Sequence, residues 1–245
     1  MITTVVFDLD DTLYDEIEYC KSGFAAVAEF LANSSESVSA NPAMAPAETR
    51  RISAAFREQF GTGNHTKTFN AALDKLDISY DDKLVLELIE VYRRHKPKIT
   101  LPPDSRDVLC ELSTKYTLAL LTDGFLPGQK LKVHALGIEK YFKSIVYTEQ
   151  LGREFWKPSP VGFEKILQTL EARPENTVYI ADNEKKDFIA PNKLGFATIQ
   201  ILRPARLHTS VCGQAGAAAQ HTIRQISQLS ALLERLRDYR RYDTL

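Results

Sequence analysis

The chain is poor in cysteine, in net charge and in long apolar runs, and each shortage removes a class of protein. Its three cysteines, Cys20, Cys110 and Cys212, are widely spaced and form no CxxC pair. Neither a disulfide framework nor a thiolate zinc site is expected, and a reduced cytoplasmic setting fits best. Lys and Arg number 31 against 32 Asp and Glu, a formal net charge of -1, which gives no general electrostatic drive toward a nucleic acid polymer or an anionic membrane. No apolar stretch approaches the length of a membrane span, and the N-terminus shows no basic and apolar leader pattern. A partner therefore has to be argued from local sites.

What is there is an ordinary globular composition, 44% hydrophobic and 26% charged over 245 residues, enough for one large domain or one domain carrying an insertion. Val5, Val6 and Phe7 read as a strand buried on both faces, the kind a parallel α/β sheet needs. The run then breaks into Asp8, Asp10 and Asp11. Asp8 and Asp10 fall just past the C-terminal end of the strand, where open α/β sheets bind ligands. Carboxylates crowded at the mouth of a low-dielectric core either raise one another's pKa or share a cation, and a hard ion such as Mg²⁺ is the simplest resolution.

From about residue 15 to 100 the pattern is helical, over 17–31, 47–60, 69–76 and 81–94, with a Ser-, Asn- and Pro-rich loop across 33–46 and no convincing strand. After Pro102 and Pro103 strands and helices alternate: strands at 116–121, 144–147, 177–181 and 197–202, helices at 104–114, 130–136, 161–170 and 188–194. Such alternation predicts parallel pairing with right-handed crossovers. The segment 203–220 is Ala- and Gly-rich and weakly patterned, a loop by expectation, followed by a short strand at 221–223 and a final helix whose Arg-bearing end, 235–241, reads as a solvated face. The predicted fold is α/β, a Rossmann-like parallel sheet core flanked by helices (1–14 and 101–245) with an inserted α-helical cap (15–100).

Reactive groups collect at the strand ends: Asp8 and Asp10 after the first, Thr122, Asp123 and Gly124 after the second, Lys157 beyond the third and Asp182 after the fourth, with Asp187 five residues on. In a parallel sheet those ends share one edge.

In this order, Asp8-Leu9-Asp10-Asp11-Thr12-Leu13, Leu121-Thr122-Asp123-Gly124, Lys157-Pro158 and Asp182-Asn183 with Asp187, the sequence resembles the haloacid dehalogenase-like superfamily, phosphatase type with a C1 helical cap. The resemblance covers nearly the whole chain. It implies Asp8 as the nucleophile of an aspartyl-phosphate route and Asp10 as the acid that protonates the leaving oxygen and then the base for water. Thr122 and the main chain around Asp123 and Gly124 would hold the phosphate, and Lys157 would neutralise its charge. Mg²⁺ would be held by the Asp8 carboxylate, the Asp10 main-chain carbonyl and Asp182. Asp187 is either a supporting metal contact or an exposed aspartate at a helix start. Asp11 is expected to shape the turn or face solvent, and Lys185 and Lys186 to sit on a solvated helix face.

The implied activity is Mg²⁺-dependent hydrolysis of a small phosphorylated metabolite, a nucleoside monophosphate or a sugar phosphate. Substrate contacts are looked for in the cap at Asp15, Tyr19, His65, Lys67, Arg93 and Arg94. The alternatives are a phosphomutase using the same nucleophile and a non-catalytic domain for binding or assembly, tethered through 213–220 and the final helix. A dehalogenase is disfavoured, because a carboxylate at Asp10 suits protonation of an ester leaving group.

Overall fold

A computed structural model describes residues 1–34, 41–63, 65–209 and 211–242. The middle of the loop expected at 33–46 lies outside them. The strands are β1 (Thr4–Phe7), β2 (Thr117–Thr122), β3 (Ser144–Tyr147), β4 (Thr177–Ala181), β5 (Ala197–Ile201) and β6 (His221–Ile223). They form one parallel sheet in the order β3-β2-β1-β4-β5-β6, so the fold is the α/β parallel sheet that the alternation predicts. Every residue of β1 and β4 is buried, as required of strands covered on both faces. The register sets Val6 beside Ala119 on one side and Tyr179 on the other.

β1 is the point at which the winding reverses. The chain proceeds outward through β2 and β3 on one side and through β4, β5 and β6 on the other. Such a reversal opens a crevice beyond the carboxyl ends of the strands, here the ends of β1 and β4.

The helices are α1 (Glu16–Asn33), α2 (Ala45–Gly61), α3 (Thr68–Lys75), α4 (Asp82–Arg94), α5 (Pro103–Lys115), α6 (Gly128–Leu136), α7 (Val161–Leu170), α8 (Ile189–Leu194) and α9 (Leu229–Tyr242). Contacts divide the chain into two compact units, Met1–Ile17 with Thr100–Leu245, and Glu18–Ile99. In the first, Phe163 meets Tyr179 edge-on at 4.8 Å and Phe196 at 5.9 Å, which fixes α7 over the sheet. α6 ends on Gly137 at φ +63°, the left-handed cap that glycine adopts without a Cβ penalty. In the second unit no described residue lies in a strand. Its core is aromatic: Phe24 stacks on Phe56 at 5.9 Å and approaches Tyr92 at 5.7 Å, and Phe69 stands edge-on to Phe56 at 5.4 Å. α4 starts where the Asp81 carboxylate accepts the Leu84 N–H at 2.8 Å, a side-chain cap. No helix among the described residues is long and apolar enough to cross a membrane.

Candidate active site

The main-chain N–H of Asp8 donates to Ile180 O at 2.9 Å, so the β1–β4 ladder continues one residue past the strand and holds Asp8 at the crevice. Lys157 Nζ lies 2.6 Å from Asp8 Oδ1, 3.0 Å from the Tyr179 hydroxyl and 2.7 Å from Asp187 Oδ1. All four side chains are buried. Asp187 also accepts the Asn183 N–H at 2.9 Å and the Tyr179 O–H at 3.3 Å. It is therefore no exposed helix-start residue: it orders the loop after β4 and shares the lysine with Asp8.

Burial pushes the Asp8 carboxyl up, Lys157 opposes it, and the balance leaves its pKa raised to about 6. Burial works against the charge on Lys157, but Asp187 and Asp8 outweigh it and hold the ammonium well above its usual range. Burial also acts to raise Asp187; Lys157 and Lys186 prevail and hold it low. The corner is thus a buried lysine shared by two carboxylates, one of them ionised firmly.

Asp10 occupies a second corner. Lys132 Nζ reaches its two oxygens at 2.8 and 2.9 Å, the Tyr14 hydroxyl donates to Oδ1 at 2.6 Å and Gln129 Nε2 donates to Oδ2 at 2.9 Å. Against burial, Lys132 and these bonds hold the Asp10 pKa below its ordinary value. Gln129 Nε2 also lies 2.6 Å from Thr122 Oγ1 and 2.8 Å from Asp123 O. Asp123 Oδ1 accepts from Thr148 Oγ1 at 2.8 Å and from the Lys157 N–H at 3.3 Å. At Gly124, φ is +137°, and a Cβ there would stand 2.8 Å from Gln129 Cδ, so only glycine lets the second strand-end loop pass beside Gln129.

Asp8, Asp182 and Asp187 offer carboxylate oxygens that all lie within 4.8 Å of one another. Burial, then Asp187 and Asp8, raise the Asp182 pKa to about 9, and Asp182 Oδ2 is buried with no hydrogen-bond partner among the described residues. A buried carboxylate oxygen without a donor, beside two other carboxylates, is what a hard divalent cation satisfies. The donor set fits Mg²⁺.

These groups open on a cavity of about 100 Å³ lined by Asp8, Asp10, Asp11, Glu16, Asp123, Asp182, Lys186 and His208. Two expectations change here. Lys186 is not on a solvated helix face, since its Nζ turns inward to 3.6 Å from Asp123 Oδ2. Asp11 does shape the turn, but it is buried rather than solvent-facing. Of the residues looked for in the insertion, Asp15 accepts from Arg203 at 2.6 Å. Tyr19 donates to Tyr92 O at 3.4 Å, His65 stacks on Phe60, and Arg93 and Arg94 approach Glu90. Lys67 stands just before α3, exposed.

Gln129, Lys132, Tyr14, Glu16 and His208 were not singled out from the sequence. Gln129 and Lys132 carried a usable signal: polar residues three apart on the helix after the second motif share one face.

The parallel sheet thus gathers carboxylates around two buried lysines, Lys132 and Lys157, at its switch point, the place where α/β enzymes bind their ligands. A family model described as haloacid dehalogenase-like hydrolase matches residues 2–195, and the chain belongs to that family. A glyceraldehyde 3-phosphate phosphatase of Methanopyrus kandleri is 27% identical over 205 residues, 83% of this chain and 85% of its relative. A ribulose-1,5-bisphosphate 5-phosphatase of Halopiger xanaduensis is 27% identical over 209 residues, covering 81% and 84%. Among solved structures, the HAD hydrolase YfnB of Bacillus subtilis, described as bound to magnesium, is 21% identical with a TM-score of 0.65, covering 95% of this chain and 98% of that one. With phosphatases as its named relatives, the chain is an enzyme of the family's phosphatase type.

Proposed function

We propose that the protein is a Mg²⁺-dependent phosphomonoesterase acting on a small sugar phosphate through a phosphorylated Asp8. The observation that carries this reading is the 2.6 Å bond between Asp8 Oδ1 and Lys157 Nζ at the end of β1. It orients the carboxylate and puts a fixed positive charge where a phosphoryl group would be transferred. The sugar-phosphate class is supported by the relatives named for glyceraldehyde 3-phosphate and ribulose-1,5-bisphosphate.

In the first half of the reaction an Asp8 oxygen forms a bond to phosphorus while the bond to the leaving oxygen breaks; in the second, water displaces Asp8 and releases phosphate. Lys157 offsets the negative charge on the transferring group, with Thr122 Oγ1 and the main chain at Asp123 and Gly124 as hydrogen-bond donors. Asp10, held as an anion by Lys132, Tyr14 and Gln129, is suited to take the proton of the attacking water. To protonate the leaving oxygen it must first acquire a proton, which weakening of the Lys132 bond as substrate enters would favour.

The carboxylates of Asp8 and Asp182 and the main-chain carbonyl of Asp10 would hold Mg²⁺, with Asp187 behind them. When bound, the ion supplies positive charge to the phosphate oxygens. Three free cysteines are consistent with a reducing cytoplasm. The test is phosphate release from D-glyceraldehyde 3-phosphate and other sugar phosphates with Mg²⁺ present. Hydrolysis that chelation abolishes supports the reading, and folded protein inert toward every phosphate ester defeats it.

A further inference from the structure

Two features of the sequence take no part in this chemistry, Asp11 and the weakly patterned segment 203–220, and the structure joins them. Asp11 sits at φ +52°, a left-handed conformation that a non-glycine residue keeps only where its surroundings hold it. Its carboxylate accepts the Glu16 N–H at 2.8 Å and the Leu207 N–H at 2.6 Å. Arg203 Nε donates to Asp15 Oδ1 at 2.6 Å, and Cys212 N–H donates to Glu184 at 3.1 Å. The segment is thereby tied to the turn that carries Asp8 and Asp10 and, farther on, to the loop after β4. His208, next after the pinned Leu207, stands in the lining of the cavity together with Glu16 and Lys186.

Every other lining residue of that cavity is an aspartate. A dianionic phosphate held at the Lys157 end leaves the rest of a sugar phosphate to the remaining side chains, and an imidazole N–H can donate to a substrate hydroxyl. We propose that residues 203–208 are a substrate-reading strap carried by the sheet-bearing unit, with His208 hydrogen-bonded to the hydroxyl-bearing part of the substrate. Asp11 and Asp15 are positioning residues that set where His208 stands. This inference rests on the sugar-phosphate reading above.

The strap is tested by calorimetric binding in the Asp8→Asn protein, which does not consume substrate, with D-glyceraldehyde 3-phosphate and inorganic phosphate as probes and Mg²⁺ present. Adding His208→Ala is expected to weaken the sugar phosphate roughly fivefold or more, the worth of one hydrogen bond, and to leave inorganic phosphate within about twofold. Adding Arg203→Ala, which alters no cavity-lining residue, is expected to give the same selective loss. Unchanged sugar-phosphate binding with His208→Ala, an equal loss for both probes, or no binding of the sugar phosphate to the Asp8→Asn protein would each overturn the inference. Turnover by the unaltered protein, measured separately, judges the phosphatase reading and leaves this binding comparison intact.

Discussion

The ammonium of Lys132 reaches both carboxylate oxygens of Asp10, at 2.8 and 2.9 Å. Its side chain is 5% exposed and that of Asp10 17%. Removing one partner of a buried pair strands the other, which costs about 3 kcal/mol. Lys132→Met is therefore expected to lower the unfolding free energy read from urea titration by about that amount, and the double variant with Asp10→Asn to recover part of the loss. A single variant as stable as the parent contradicts the pairing.

Glu16 has its carboxyl raised to about 7, first by burial and then by Asp10, with Lys132 opposing. A carboxyl whose folded pKa lies above its unfolded value of 4.5 binds more protons when folded. Its contribution is fully present below that unfolded value and is lost as pH rises through about 7. Glu16→Gln should remove this fall, flattening stability against pH by on the order of 2 kcal/mol over that window. Equal slopes for the two proteins would show that Glu16 titrates normally.

Asp182, raised to about 9 by burial and by Asp187 and Asp8, is protonated at neutral pH until a cation arrives. Binding of Mg²⁺ at about pH 7.5 should release close to one proton per ion, read by calorimetry in buffers of different ionisation heat. Asp182→Asn should abolish that release. Proton-neutral binding by the unaltered protein would place the ion elsewhere.

Gly124 approaches Gln129 so closely that a Cβ would lie 2.8 Å from Cδ and 2.9 Å from Cγ. Gly124→Ala should push Gln129 off Thr122 and Asp10 and lower kcat/KM roughly 10- to 100-fold, since small displacements at a reacting centre are costly. Activity within about twofold of the parent would show that Gln129 positions nothing.

The centre of the sheet was legible because β1 and β4 are short apolar runs cut off by a polar group, at Phe7 and Asp8 and at Ala181 and Asp182. Strand bounds moved only slightly: the second ends at Thr122, inside the ladder, rather than before it. Asp10 was named from the sequence, but its partners were missed. Gln129 and Lys132 look like the solvated side of a helix until the crevice is placed beside them, and Lys186 misleads for the same reason, since a lysine between charged neighbours carries no sign of facing inward. Among the described residues, Asp11 meets the segment 203–208 where its carboxylate accepts the main-chain N–H of Leu207. Such bonds depend on backbone position rather than residue type, and no periodicity announces them.

The central claim, that Asp8 carries the phosphoryl group, is tested most directly by acid-quenching the enzyme during turnover of a sugar phosphate with Mg²⁺ and examining the Asp8-bearing peptide by mass spectrometry. The account predicts a phosphoryl adduct on Asp8 that is absent from Asp8→Asn and disappears once substrate is exhausted. Sustained hydrolysis by Asp8→Asn, or an adduct on a different residue, would contradict it.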